Sequence, residues 1–214
     1  MAGCEDVRVT ITGMGGHGSS PHLTLDPVPV ACEIVLALQT HVSRRYSGFE
    51  PIVLTVGRIS AGASSVVIPE TAEMDLSVRL FSQATQERIR TELPRLVQNI
   101  AAAHGMIAEV EFLPEYLPLV NDAAETSYAA SVLADRFGSE AVVELAEPFG
   151  GSEDFAWVLD QVSGAYLCLG AGIPGHPEET NHSPKATFDD ALIPAATEAL
   201  ALLAWRRGSA TPPE

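Results

Sequence analysis

Apolar and polar residues alternate at the start of the chain. In VRVTIT, residues 7–12, Val7, Val9 and Ile11 fall on one side and Arg8, Thr10 and Thr12 on the other. That period-two pattern predicts a half-buried strand. The glycine-rich stretch GMGGHGSSPH follows, and then Asp26-Pro27 offers an N-cap acid before a proline at the first helical position. Ala31, Ile34, Val35, Leu38 and Val42 recur at helical spacing, and Gly48 marks the end of that run. Residues 52–59 read as a second strand. Residues 71–81 read as a third, with Ala72, Met74, Leu76, Val78 and Leu80 facing one way and Glu73, Asp75, Ser77 and Arg79 the other. A helix is expected from about 85 to 104, with a kink or a later start at Pro94, and residues 107–112 alternate again as a fourth strand.

Strand, helix, strand, strand, helix, strand is the order of a ferredoxin-like βαββαβ unit, here spanning residues 5–113. LPEYLPLVND, residues 113–122, reads as a crossing to a second block at 120–207. That block predicts a helix at 123–137, a short strand at 141–146, a helix from Ser152, a strand at 164–169, a loop at 170–187 and a last helix at 189–206. Two strands cannot close a sheet, so the block reads as an incomplete α/β domain.

Twelve basic against twenty-eight acidic residues give a formal net charge of −16, which argues against nucleic acid or an anionic membrane as partner. Cys4, Cys32 and Cys168 are widely spaced and odd in number, against a disulfide framework or a cysteine zinc cage. No signal peptide or membrane span is expected, and the reading is a cytoplasmic protein.

Several residues are candidates for chemistry, each with a plain alternative. His17, among Gly15, Gly16 and Gly18, either projects from a strand end toward a ligand or simply meets solvent. His22, just before the helix, is expected to hydrogen-bond locally. His182 in TNHSPKATFDD is a surface histidine unless partners make it a metal ligand, and the same holds for His176. His41 and His104 lie near helix ends, where an imidazolium complements the dipole. In GGSEDF, Gly151 and Ser152 either cap a helix or present backbone N–H groups to a substrate carboxylate or carbonyl.

Together these motifs resemble the zinc-type amidohydrolases of the aminoacylase, hippurate hydrolase and indole-acetyl-amino-acid hydrolase family. GMGGHGSSPHLTLDPV is similar to that family's Gly-Gly-His, Pro-His, Asp-Pro-Val lid signature. AGASSVVIPETAEMDLSVRLF is similar to its Ile-Pro…Arg segment, and PLVND, GGSEDF and NHSPKATFDD match later landmarks in order. The likeness runs from about residue 6 to residue 205. It implies a ferredoxin-like lid that forms a homodimer contact, followed by the C-terminal part of a metal-binding α/β domain.

By resemblance, His17 is the catalytic lid histidine that reaches into the partner subunit's site and steadies an oxyanion. Arg79 holds the carboxylate of a small N-acyl amino acid or peptide-like substrate; the plain alternative is a cross-strand pair with an acid. Gly151 and Ser152 line the substrate pocket, and His182 is a ligand to a divalent metal, zinc or manganese. Val66 departs from the family, which usually has Asn there. The family's other metal ligands and its general base lie upstream of the lid. The expectation is therefore a C-terminal fragment of a metal-dependent amidohydrolase, inactive alone. The alternative is a non-catalytic dimerisation or small-molecule-binding module.

Overall fold

The computed structural model of the protein describes residues 1–113, 116–175 and 182–209. Its contacts divide the chain into two units, Met1–Val120 with Glu147–Gln161, and Asn121–Ala146 with Val162–Glu214. The segment 147–161 thus packs with the first unit, whereas the sequence reading placed it in the block at 120–207.

In the first unit β1 (Gly3–Thr12) lies between β5 (Thr71–Leu80) and β6 (Ile107–Phe112), and β3 (Ile52–Ala61) closes the other edge. The order β3-β5-β1-β6, antiparallel throughout, is the ferredoxin-like arrangement read from the alternating segments. Helices α1 (Pro27–Arg45) and α2 (Gln83–Ala103) cover one face. Asp26 caps α1 by accepting from the Val28 N–H at 3.0 Å, with Pro27 at the first turn as predicted. Ser82 caps α2 through the Thr85 N–H. Helix α2 starts at Gln83 and runs through Pro94, because the flanking Leu93 and Val97 are fully buried and packing outweighs one lost backbone bond.

The core is the set of inward positions on both helices and the sheet. Val7, Val9 and Ile11 of β1 and Met74, Val78 and Leu80 of β5 meet Ile34 and Leu38 of α1 and Ile89 of α2. The opposite sheet face carries the polar alternates; those of β5 are half-buried, and Cys4 of β1 is buried. A two-stranded ribbon, β2 (Gly16–His17) with β4 (Val67–Ile68), extends beyond the end of the sheet where Thr12 pairs with Thr71.

In the second unit α3 (Ala123–Phe137) forms where a helix was read; Asp122 caps it, and it ends at Gly138, whose φ of 95° suits glycine. A long helix, Ile193–Ser209, closes the unit, preceded by a single 3-10 turn at Asp190–Leu192. The strands expected at 141–146 and 164–169 do not form. Residues 139–141 make a 3-10 turn, and 164–169 run without a ladder partner among the described residues. The Asn121 side chain instead takes both backbone groups of Tyr166, donating to its carbonyl at 3.0 Å and accepting from its N–H at 2.9 Å.

Candidate functional site

His17 owes its position to close packing rather than to backbone freedom. None of Gly13, Gly15, Gly16 and Gly18 has a positive φ. A Cβ on Gly13 would lie 2.1 Å from the Leu25 carbonyl oxygen, and one on Gly15 would lie 2.8 Å from that of Ile68. The glycines are there because a second strand and a turn press against this segment. Within the ribbon His17 pairs with Val67, so the imidazole and an exposed valine share one face, while Ile68 is buried. The backbone N–H of Ser19 donates to His17 Nδ1 at 3.2 Å, and the Ser19 hydroxyl lies 2.8 Å from the same atom. An Nδ1 that accepts leaves the proton of the neutral ring on Nε2, pointing a donor outward.

Arg79 stands on the sheet face opposite the helices, between Cys4 of β1 and Val53 of β3. Neither cross-strand neighbour is an acid, so the expected plain alternative, an ion pair, is not formed. Its Nη1 donates to Ser152 Oγ at 2.5 Å, and no carboxylate among the described residues answers its charge. Burial pushes the neighbouring Cys4 thiol up, against the lowering effects of Ser77 and Arg79. Ser152 is therefore a partner of Arg79 and not a helix cap: the short helix α4 (Ala156–Gln161) starts four residues later. Gly151 sits beside it with room at its Cα, the nearest atom to an added Cβ being the Met1 methyl at 3.8 Å. The fold thus brings Arg79, Gly151 and Ser152 together.

It does not bring His17 to them. The ribbon leaves the sheet at the Thr12–Thr71 end, and Arg79 lies eight positions along β5 at the Cys4 end. At ~3.3 Å per residue those ends are about 26 Å apart. One small amide cannot touch both in a single copy.

His182 is exposed, with φ 73°, in the left-handed region that histidine tolerates better than most residues. Among the described residues no group of three or more His, Cys, Asp or Glu is placed to hold a metal ion. These residues alone do not fit a tight metal site, which takes three or four protein ligands. His176 lies outside the described residues. His22 is exposed and makes no hydrogen bond among them, because its 3-10 turn is closed by the Thr24 hydroxyl on the Pro21 carbonyl instead. His41 and His104 are held by carboxylates of the opposite helix, Glu92 at 2.9 Å and Glu33 at 2.7 Å, and not by a helix dipole alone.

The sequence reading missed Ser19 and the Val67 side of the ribbon. The register that makes Val67 a neighbour of His17 joins segments fifty residues apart. The short spacing of Ser19 from His17 was the one available signal.

Residues 3–105 match the model of the peptidase dimerisation domain of the M20 type. The chain is 34% identical over 204 residues to the N-acetylcysteine deacetylase of Bacillus subtilis, covering 95% of this chain and 52% of that protein. A crystal structure from methicillin-resistant Staphylococcus aureus superposes with a TM-score of 0.87 at 31% identity, over 96% of this chain and 52% of that one. Bacillus subtilis YxeP, described as a dinuclear metal-binding peptidase of the M20 family, superposes with a TM-score of 0.74 at 28% identity, over 95% and 49%. The chain spans about half the length of the curated relatives it matches. No helix of the described residues is long and apolar enough to cross a membrane. Residues 3–105 thus match the peptidase dimerisation domain, and the chain as a whole is similar to about half the length of M20-type proteins.

Proposed function

We propose that this chain is the lid and C-terminal part of a metal-dependent amidohydrolase that cleaves small N-acyl amino acids of the hippurate type. The observation that carries the reading is the Arg79 guanidinium, half-buried on the sheet face opposite the helices and bonded only to a neutral hydroxyl among the described residues. A substrate carboxylate is the partner that such a fork lacks, and a bidentate pair would fix the amino-acid end of the amide. Gly151, free of crowding, lets the substrate approach the backbone beside Ser152.

His17 supplies the second function. With Nδ1 engaged by Ser19, its Nε2–H can donate to the oxygen of a tetrahedral intermediate, where one donor is worth roughly 3–4 kcal/mol in hydrolases. The separation of His17 from Arg79 favours a site shared between two copies, with the imidazole of one serving the guanidinium of the other. The outer edge of β3 is a fitting contact for such a homodimer, as it exposes Val53 and Ile59. A divalent metal, if held in the longer enzyme, would supply Lewis-acid chemistry toward the amide. His182 would be one of its ligands, the remainder coming from outside the described residues.

The test uses this polypeptide directly. Benzoylglycine should shift the Arg79 side-chain NMR signal, and Arg79→Met should abolish the effect. Zinc or manganese added to the 214-residue chain should give no enzymic turnover of the same compound. If benzoylglycine leaves Arg79 unmoved, the anchor is wrong; rapid turnover would end the claim that the chain is inactive alone.

A further inference from the structure

Next to Arg79, the sheet face opposite the helices holds a groove lined by Asp6, Arg8, Thr55, Asp75, Ser77 and Leu113. Its register is set by the sheet: Asp6 and Thr55 flank Ser77 on either side, two positions along β5 from Arg79. Two residues of strand advance about 7 Å, so the groove begins one side-chain length from the guanidinium.

The charges along it do not balance. Arg8 donates to Asp75 at 3.0 Å, and Arg58 donates to Asp75 at 2.7 Å and to Glu73 at 2.8 Å, so both arginines are already answered. Glu111 and Glu109 stand opposite Arg8 and Thr10 on the same face. Asp6, at the Arg79 end, accepts only from the Cys4 thiol, at 3.4 Å, and has no cationic partner among the described residues. The groove therefore offers a spare carboxylate one step from a spare guanidinium.

We infer that this groove takes the side chain of the amino acid released, and that it favours a side chain ending in a cation. This rests on Arg79 as the carboxylate anchor. With the α-carboxylate on Arg79, a flexible four-carbon stem like that of lysine reaches past Thr55 and Ser77, whose small side chains leave it room, and sets its ammonium against Asp6. Glycine stops short of the groove, and an acidic side chain meets Asp6 and the glutamates of β6 at like charge.

The experiment titrates the isotopically labelled chain with Nα-acetyl-lysine, with its neutral near-isostere Nα-acetyl-norleucine, and with Nα-acetyl-glutamate. All three should shift Arg79. The lysine and norleucine compounds should both shift Ser77, and only the lysine compound should also shift Asp6, binding roughly two- to fivefold tighter than norleucine at low salt, the range of a solvent-accessible ion pair. That margin should close in Asp6→Asn and at high salt. Equal binding with Arg79 shifted, or a margin that survives in Asp6→Asn, overturns the groove assignment and leaves the anchor standing. No shift at Arg79 with any compound fells the anchor and the groove together.

Discussion

Glu5 is fully buried on the helix-covered face of β1, where a carboxylate survives only if its lone pairs are taken. Gln86 donates to it at 2.7 Å, and Arg90 grips both oxygens at 2.8 and 3.1 Å. Arg90→Met leaves that charge uncompensated and should cost about 3–5 kcal/mol by urea denaturation. Converting Glu5 to Met as well should recover most of the loss, since a well-packed apolar pair can replace a buried ion pair. If the double variant is as unstable as the single one, the clamp is not what holds this end of the sheet. The strand was read only from residue 7, so position 5 was not placed inward, whereas β1 starts at Gly3. The partners of Glu5 were not legible either, because they sit eighty-one and eighty-five positions away on a helix whose rotation only packing fixes. The same holds for Arg79, whose strand face was read correctly while its hydroxyl partner was not foreseen.

At the level of elements, α1 and α2 are clasped by a polar cluster at their outer ends. Glu92 accepts from Arg88 at 3.2 Å and pairs with His41, while Tyr46 donates to it at 3.4 Å and lies under the Arg88 guanidinium. Burial alone would raise the Glu92 carboxyl, but the bonds from Arg88 and His41 outweigh it and hold the group below the usual carboxylate range. Burial, and next the charge of Glu92, push the Tyr46 phenol up to about 12. The two shifts act at opposite ends of the pH scale. A lowered carboxyl contributes stability above its unfolded value near ~4.3, lost as pH falls through the folded one. A raised phenol contributes stability fully present below its unfolded value near ~10, lost as pH rises toward the folded one. Tyr46→Phe should therefore flatten the alkaline limb of a denaturation midpoint profile between about pH 10 and 12, and Glu92→Gln should flatten the acid limb. An alkaline limb unchanged in Tyr46→Phe would refute the assignment. The helices were legible from spacing and caps, being local structures. The strands at 141–146 and 164–169 were not formed for the converse reason: a strand exists only with a neighbour, and a short apolar run carries no information about whether one is there.

For the molecule as a whole, the decisive quantity is the span of β5 between the His17 end of the sheet and Arg79. Sequence motifs name both residues but are blind to this distance, which the strand pairing sets. If both serve one amide, two copies must meet, and a two-fold axis would give each site one imidazole and one guanidinium. A direct check places a nitroxide at His22→Cys, one exposed turn from His17, with Cys32→Ser and Cys168→Ser removing the exposed thiols. Unlabelled-nitrogen chains carrying the nitroxide are then mixed with nitrogen-15 chains lacking it, so that only contacts between copies broaden a signal. The Arg79 region should broaden in the mixture, and light scattering should give the mass of a dimer. A dimer whose Arg79 signals stay sharp would keep the dimerisation role and remove the shared site; the lone imidazole and the lone guanidinium would then belong to separate functions.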